Sequence, residues 1–171
     1  MKFLFIVQGE GRGHFTQAIT LEDMLLRNGH QVVEVLVGKS SSRTLPGFFN
    51  RSIQAPVKRF TSPNFLPTAE NKRADLKKSF AYNLIHVPEY FRSMCYINQR
   101  IKETGAEVVI NFYELLTGLT YALFRPSVPY VCIGHQYLFL HNHFEFPRKS
   151  VIQLSMLRLS LIHISETTRL R

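Results

Sequence analysis

The sequence is poor in several features that define particular protein classes. Its 171 residues include two cysteines, Cys95 and Cys132, and no tryptophan. Two cysteines that lie far apart in apolar segments cannot build a disulfide framework or a four-cysteine zinc site, and they fit a reducing compartment. No apolar run reaches the roughly 18 residues of a membrane-spanning helix. We therefore expect a cytoplasmic chain, soluble or peripherally attached at the inner face of a membrane.

Acidic residues are scarce in the middle of the chain. Between Lys39 and Lys102 there are 12 lysines and arginines against 3 aspartates and glutamates, whereas the rest of the chain is balanced. A local cationic excess favours phosphate-bearing partners such as an anionic membrane surface; the alternative is a solvated surface without a partner. The candidate phosphate or membrane contacts are Lys58, Arg59, Lys72, Arg73, Lys77 and Lys78. No nucleic-acid partner is predicted, because the sequence lacks the stacking-aromatic motifs of such proteins.

The spacing of apolar residues alternates between strand-like and helix-like. Strands are predicted at 2–8, 31–38, around 53–60, at 107–112 and at 130–134. Helices are predicted at 15–28, at 75–104 with a break or kink at Pro88, and at 115–124. Apart from its strand, the segment 40–74 reads as an irregular loop. This alternation predicts an α/β fold: a Rossmann-like, doubly wound parallel sheet with helices on both faces, for which the usual strand order is 3-2-1-4-5.

A glycine-rich turn, Gly9-Glu10-Gly11-Arg12-Gly13-His14, follows the first strand. It is not the dinucleotide fingerprint, because a histidine stands in place of the third glycine and the second strand does not end in an acidic residue. The Walker loop fails as well, since its first glycine would fall on Val33. What remains is a turn that lets a ligand approach the backbone and places a histidine at a helix start. There the helix dipole disfavours the imidazolium, so His14 is a candidate neutral general base.

Two further loops lie at the same predicted sheet edge. Strand order 3-2-1-4-5 makes the loops after strands one and four neighbours, so Glu114 could orient the His14 imidazole as the acid of a dyad. The alternative is an ordinary first-turn glutamate that the helix dipole favours. After strand five, His135 and Gln136 are candidates for hydrogen bonds to a polyhydroxyl ligand. No metal is predicted, because no cysteine or carboxylate accompanies the histidines at ligand spacing.

Three segments carry a family resemblance: FIVQGEGRGHFTQAITLEDMLLRNGHQVVEVLVG, VVINFYELLTGLTYA and PYVCIGHQYLFLH. Together they resemble the N-terminal half of a GT-B glycosyltransferase of the bacterial family 1-like, MurG-like group. The resemblance implies an acceptor-binding domain and metal-independent, inverting transfer of a hexose from a nucleotide-diphosphate sugar. It implies that His14 is the general base, that Gly11 and Gly13 shape its loop, and that Arg12 lies at the acceptor site. The implied acceptor is a sugar, lipid or glycolipid.

The resemblance also implies a domain organisation. Residues 1–160 correspond to the acceptor-binding domain, while 161–171 break the pattern and are expected to be non-native or disordered. A C-terminal domain for the nucleotide sugar would be absent, so we expect this chain to be inactive alone and to bind no cofactor itself. The alternative is a non-catalytic subunit that binds an acceptor or a membrane surface and pairs with a separate donor-domain protein.

Overall fold

The computed structural model describes residues 1–9, 12–39, 44–63 and 76–134, and for residues 76 and 77 the backbone alone. The ten elements within these ranges are β1 (Lys2–Gln8), α1 (Arg12–Arg27), β2 (Gln31–Lys39), α2 (Gly47–Ser52), β3 (Val57–Thr61), α3 (Leu76–Ile85), α4 (Val87–Glu103), β4 (Val108–Phe112), α5 (Leu115–Phe124) and β5 (Tyr130–Cys132). The expectation about the tail at 161–171 lies outside the described residues.

The five strands form one parallel sheet in the order β3-β2-β1-β4-β5. The central strand β1 pairs with β2 on one side and with β4 on the other, so that Val7 lies opposite both Val37 and Phe112. The chain therefore changes direction between β1 and β4, which is where open α/β sheets bind ligands beyond the carboxyl ends of their strands. The predicted Rossmann-like fold and strand order are confirmed.

Each face of the sheet carries its own apolar core. Along β1, Phe3, Phe5 and Val7 point to the face covered by α1 and α2. Leu4 and Ile6 point to the opposite face, which is packed against α4 and α5. Because successive side chains of a strand alternate between faces, the unbroken apolar run of β1 is what a strand buried on both sides requires.

Buried carboxylates join distant segments of the fold. Glu22 on α1 is 2% exposed and accepts hydrogen bonds from the backbone amides of Gln54 and Ala55 at 2.9 and 2.8 Å, which ties α1 to the segment before β3. Glu34 on β2 accepts two hydrogen bonds of 2.8 Å from the guanidinium of Arg100 on α4. These contacts hold helices against both faces of the sheet.

Helix boundaries differ from the sequence prediction in three places. Helix α1 begins at Arg12, three residues before the first residue predicted, and α2 lies in the segment predicted as loop. The predicted helix over 75–104 is divided at His86 into α3 and α4, with Pro88 in the first turn of α4. Proline lacks an amide hydrogen and clashes with the preceding turn, so it is tolerated at a helix start but not inside a helix. No helix within the described ranges is long and apolar enough to cross a bilayer.

Candidate functional site

The turn after β1 lies close to the end of β2. The Gly9 amide donates a hydrogen bond of 2.6 Å to the Gly38 carbonyl, and a Cβ atom at position 9 would lie 2.5 Å from that same oxygen. Glycine is thus required at position 9 because any side chain would collide with the neighbouring strand. Gly11, a predicted acceptor contact, lies outside the described residues.

His14 lies in the first turn of α1, next to the junction of β1 and β4. Its side chain is 6% exposed, while Arg12 and Gly13, on the preceding residues, are exposed. A Cβ atom at Gly13 would meet no other atom within 4 Å, so this part of the turn opens onto free space. The structure thus brings the predicted base, Arg12 and Gly13 together at the carboxyl edge of the sheet.

Tyr113, which the sequence analysis did not single out, lies against His14. The two rings are nearly parallel, with an angle of 14° between their planes and 6.1 Å between their centroids. Burial, and to a smaller extent the nearby Cys132, raises the pKa of the Tyr113 phenol above its ordinary value of 10.0. The phenol therefore stays protonated at neutral pH and contributes no negative charge beside the imidazole.

Asn111 organises the turn between β4 and α5. Its Oδ1 accepts a hydrogen bond of 2.8 Å from the Glu114 amide, and its Nδ2 donates to the Glu114 carbonyl at 3.2 Å. Tyr113 lies inside this turn with φ of 60°, in the left-handed region that residues other than glycine rarely adopt. The Asn111 side chain is fully buried, so the turn belongs to the rigid part of the fold.

The carboxylate of Glu114 caps helix α5 and connects it to the end of β3. Its Oε1 accepts hydrogen bonds from the Leu116 amide at 3.2 Å and from the Ser62 hydroxyl at 2.6 Å. The side chain is 1% exposed and packs against Gly38, where a Cβ atom would lie 2.7 Å from the carboxyl carbon. These contacts give Glu114 a structural function, and its role in orienting His14 stays a prediction.

An open groove of about 340 Å³ runs along α1, on the face of the sheet that α1 covers. Thr16, Gln17 and Thr20 line it from the helix, and Phe112 and Ile133 line it from the ends of β4 and β5. It begins within one turn of His14, because residues three and four apart lie on the same side of a helix. Leu21 and Met24 of α1 line it as well, so the groove is mostly apolar, with Thr16, Gln17 and Thr20 as its polar part.

One of the predicted cationic residues forms an ion pair within the fold. The Lys58 ammonium lies 2.9 Å from the buried Glu34 carboxylate, so part of its charge is used within the fold. The side chains of Lys58, Arg59 and Lys78 are all exposed. The backbone of Lys77 belongs to α3. Lys72 and Arg73, and the predicted acceptor contacts His135 and Gln136, lie outside the described residues.

Comparisons with known proteins find matches among solved structures. No protein-family model matches the sequence, and no curated protein matches it. Similar solved structures include MurG from Acinetobacter baumannii, with 17% identity and a TM-score of 0.41 over 77% of this chain and 33% of that one. They also include the calicheamicin glycosyltransferase CalG4, with 15% identity and a TM-score of 0.46 over 96% of this chain and 42% of that one.

This chain spans well under half the length of those two proteins. Both structures are GT-B glycosyltransferases, the class that the sequence motifs resemble. Likeness at this identity concerns the fold and does not extend to the chemistry of individual residues. The roles of His14, Glu114 and the groove are therefore argued from their own geometry.

Proposed function

We propose that this chain is the acceptor-binding part of a glycosyltransferase, with His14 as the general base. The observation that carries the proposal is the position of His14, in the first turn of α1 beside the junction of β1 and β4. Ligands of open α/β sheets bind at this junction, and a helix start keeps an imidazole in its neutral, basic form. The groove beside α1 begins at the same point.

The proposed reaction moves one proton and one sugar. The Nδ1 atom of His14 is buried, and we assign Nε2 as the nitrogen that meets the acceptor. Nε2 takes the hydroxyl proton as the acceptor oxygen attacks the anomeric carbon of a hexose, and the bond from that carbon to the nucleoside diphosphate breaks with its electron pair. The imidazolium later releases its proton to solvent. The nucleotide sugar would be held by a second domain or by a separate donor-domain protein.

The groove would hold the acceptor next to His14. Its polar side chains, Thr16, Gln17 and Thr20, can hydrogen-bond a ligand, and apolar side chains make up the rest of its lining. Sites of this kind orient a ligand with a few polar groups and bind its bulk on apolar surface. A sugar, lipid or glycolipid acceptor has matching polar and apolar parts, with Arg12 and Gly13 close to its reacting end.

The test compares two histidines at opposite ends of α1. In a protein that combines this chain with a nucleotide-sugar domain, His14→Ala should lower kcat about 10²–10⁴-fold with little change in KM, the usual contribution of a general base. His30→Ala is the matched control, because His30 follows α1 at the other edge of the sheet, beside Phe3. Wild-type turnover in His14→Ala would rule out the proposed base. The 171-residue chain alone should transfer no sugar.

A second candidate function is supported by an exposed apolar surface on α3 and α4. Its side chains are 49–76% exposed and are Phe80, Leu84, Ile85, Val87 and Phe91, which together we term the α3–α4 surface. Lys78 and Arg92 are exposed on the same two helices. Exposed apolar side chains on helices that also carry exposed cationic ones fit the headgroup region of an anionic membrane. A non-catalytic subunit that binds an acceptor there, at the inner membrane face, would pair with a separate donor-domain protein.

Vesicle sedimentation distinguishes this second candidate. The chain should bind vesicles of phosphatidylcholine mixed with phosphatidylglycerol more tightly than phosphatidylcholine alone, and salt should weaken that binding. The double substitution Phe80→Ser and Ile85→Ser should weaken it at least tenfold, because each side chain contributes about 1.5–3 kcal/mol when buried in an apolar environment. Met24→Ser, at an apolar side chain 55% exposed on α1, is the control. Equal binding by all variants would exclude the α3–α4 surface.

A further inference from the structure

The backbone of Tyr113 adopts an unfavourable conformation that its surroundings impose. Among the described residues other than glycine, Tyr113 and Arg125 have positive φ, at 60° and 47°. Arg125 follows the end of α5, where a left-handed residue commonly terminates a helix. Tyr113 instead lies between a strand and a helix start, where no such habit accounts for it. Bulky residues persist in this region only where neighbouring contacts determine the backbone.

Those neighbouring contacts lie on both sides of Tyr113. The buried Asn111 side chain holds both the amide and the carbonyl of Glu114, so the turn is closed around Tyr113. The Glu114 side chain is itself held by the Leu116 amide and the Ser62 hydroxyl. The direction in which Tyr113 leaves the backbone is therefore set by buried hydrogen bonds rather than by the preference of tyrosine.

That direction brings the ring of Tyr113 alongside the imidazole of His14. We propose that Tyr113 is the positioning residue for His14: its nearly parallel ring, with centroids 6.1 Å apart, holds the imidazole in one orientation at the sheet edge. The proposal deepens the proposed function and rests on it for the meaning of His14. A glycine or asparagine at position 113 would suit the backbone better, but neither would supply the ring contact with His14.

Side-chain NMR of His14 tests the proposal on the 171-residue chain without any sugar donor. Histidine labelled with ¹⁵N reports the tautomer of each ring, and His14→Gln identifies the His14 signals among the seven histidines. Tyr113→Phe should keep the wild-type tautomer pattern, because the ring remains. Tyr113→Gly and Tyr113→Asn both accept positive φ, so the turn should persist, but the His14 pattern should differ from that of the wild type because the ring is gone.

The control is Arg125→Gly, which relieves the other positive φ and should leave the His14 signals unchanged. Wild-type His14 signals in both Tyr113→Gly and Tyr113→Asn would overturn the proposal. So would a Tyr113→Phe variant that loses the pattern as fully as Tyr113→Gly, because the hydroxyl rather than the ring would then hold His14. The readout is the imidazole itself, so a failed His14 base in transfer assays and a failed positioning role give different results.

Discussion

Replacing Glu114 by alanine separates its structural role from a catalytic one. The Glu114 side chain is 1% exposed, and its Oε1 accepts hydrogen bonds from two neutral donors, the Leu116 amide and the Ser62 hydroxyl. Ser62 is itself 6% exposed. Loss of the helix cap costs about 0.5–2 kcal/mol. A buried hydroxyl left without its acceptor costs about 1–3 kcal/mol more. Glu114→Ala should therefore lower the free energy of unfolding by about 1.5–5 kcal/mol.

Urea and thermal unfolding measure this loss, and a second glutamate provides the control. A domain of this size loses roughly 2–4 °C in Tm for each kcal/mol, so Glu114→Ala should lower Tm by about 3–20 °C. Glu89 also lies in the first helical turn, of α4, but it is exposed. Glu89→Ala should cost at most about 1 kcal/mol, the usual effect of a charge on the helix dipole.

The result that would refute this reasoning has two parts. If Glu114→Ala unfolds like Glu89→Ala, within about 1 kcal/mol, the buried hydrogen bonds of Glu114 are not stabilising the fold. If the same variant also changes the tautomer pattern of His14, the carboxylate orients the imidazole. A large loss of stability with unchanged His14 signals would instead establish Glu114 as a cap that connects α5 with the end of β3.

Two further predictions concern the buried contacts near the site. Gly38→Ala should cost about 1–3 kcal/mol in urea unfolding, because its Cβ would lie 2.7 Å from the Glu114 carboxyl carbon and 2.8 Å from Phe60; unchanged stability would show that this contact is loose. Burial favours a higher pKa for Glu34, but hydrogen bonds and charge from Arg100 and then Lys58 outweigh it and hold the pKa below its ordinary 4.5. Its stabilisation is therefore full above pH 4.5 and lost as pH falls further, and in Glu34→Gln this part of the acid dependence of unfolding should disappear.

Much of the fold could be predicted from the sequence because its signals are local. The apolar run of β1 is buried on both faces, and the alternation of strands with helices predicts the parallel sheet, whose order is the usual doubly wound one. The helix over 115–124 was predicted with the bounds that α5 has. Helix α2 was missed because its six residues, GFFNRS, are too few to show a helical period.

The candidate site was predicted in part. The glycine turn and topology place His14 at the sheet edge without any knowledge of tertiary contacts. They could not identify Tyr113, because its positive φ depends on the Asn111 side chain and its ring contact joins residues far apart in the chain. A search for polar residues three positions before a predicted helix cap would have drawn attention to Asn111, but nothing local marks Tyr113.

Sequence alone determined which segments are strands and which histidine starts the first helix, because periodicity and glycine placement act over a few residues. Tertiary structure decided what the charged residues do. Glu34 and Arg100 are 66 residues apart and Ser62 and Glu114 are 52 apart, yet each pair is joined by hydrogen bonds in the fold. Whether a carboxylate or an ammonium faces a ligand or a buried partner depends on packing between elements, and that packing leaves no periodic trace in the sequence.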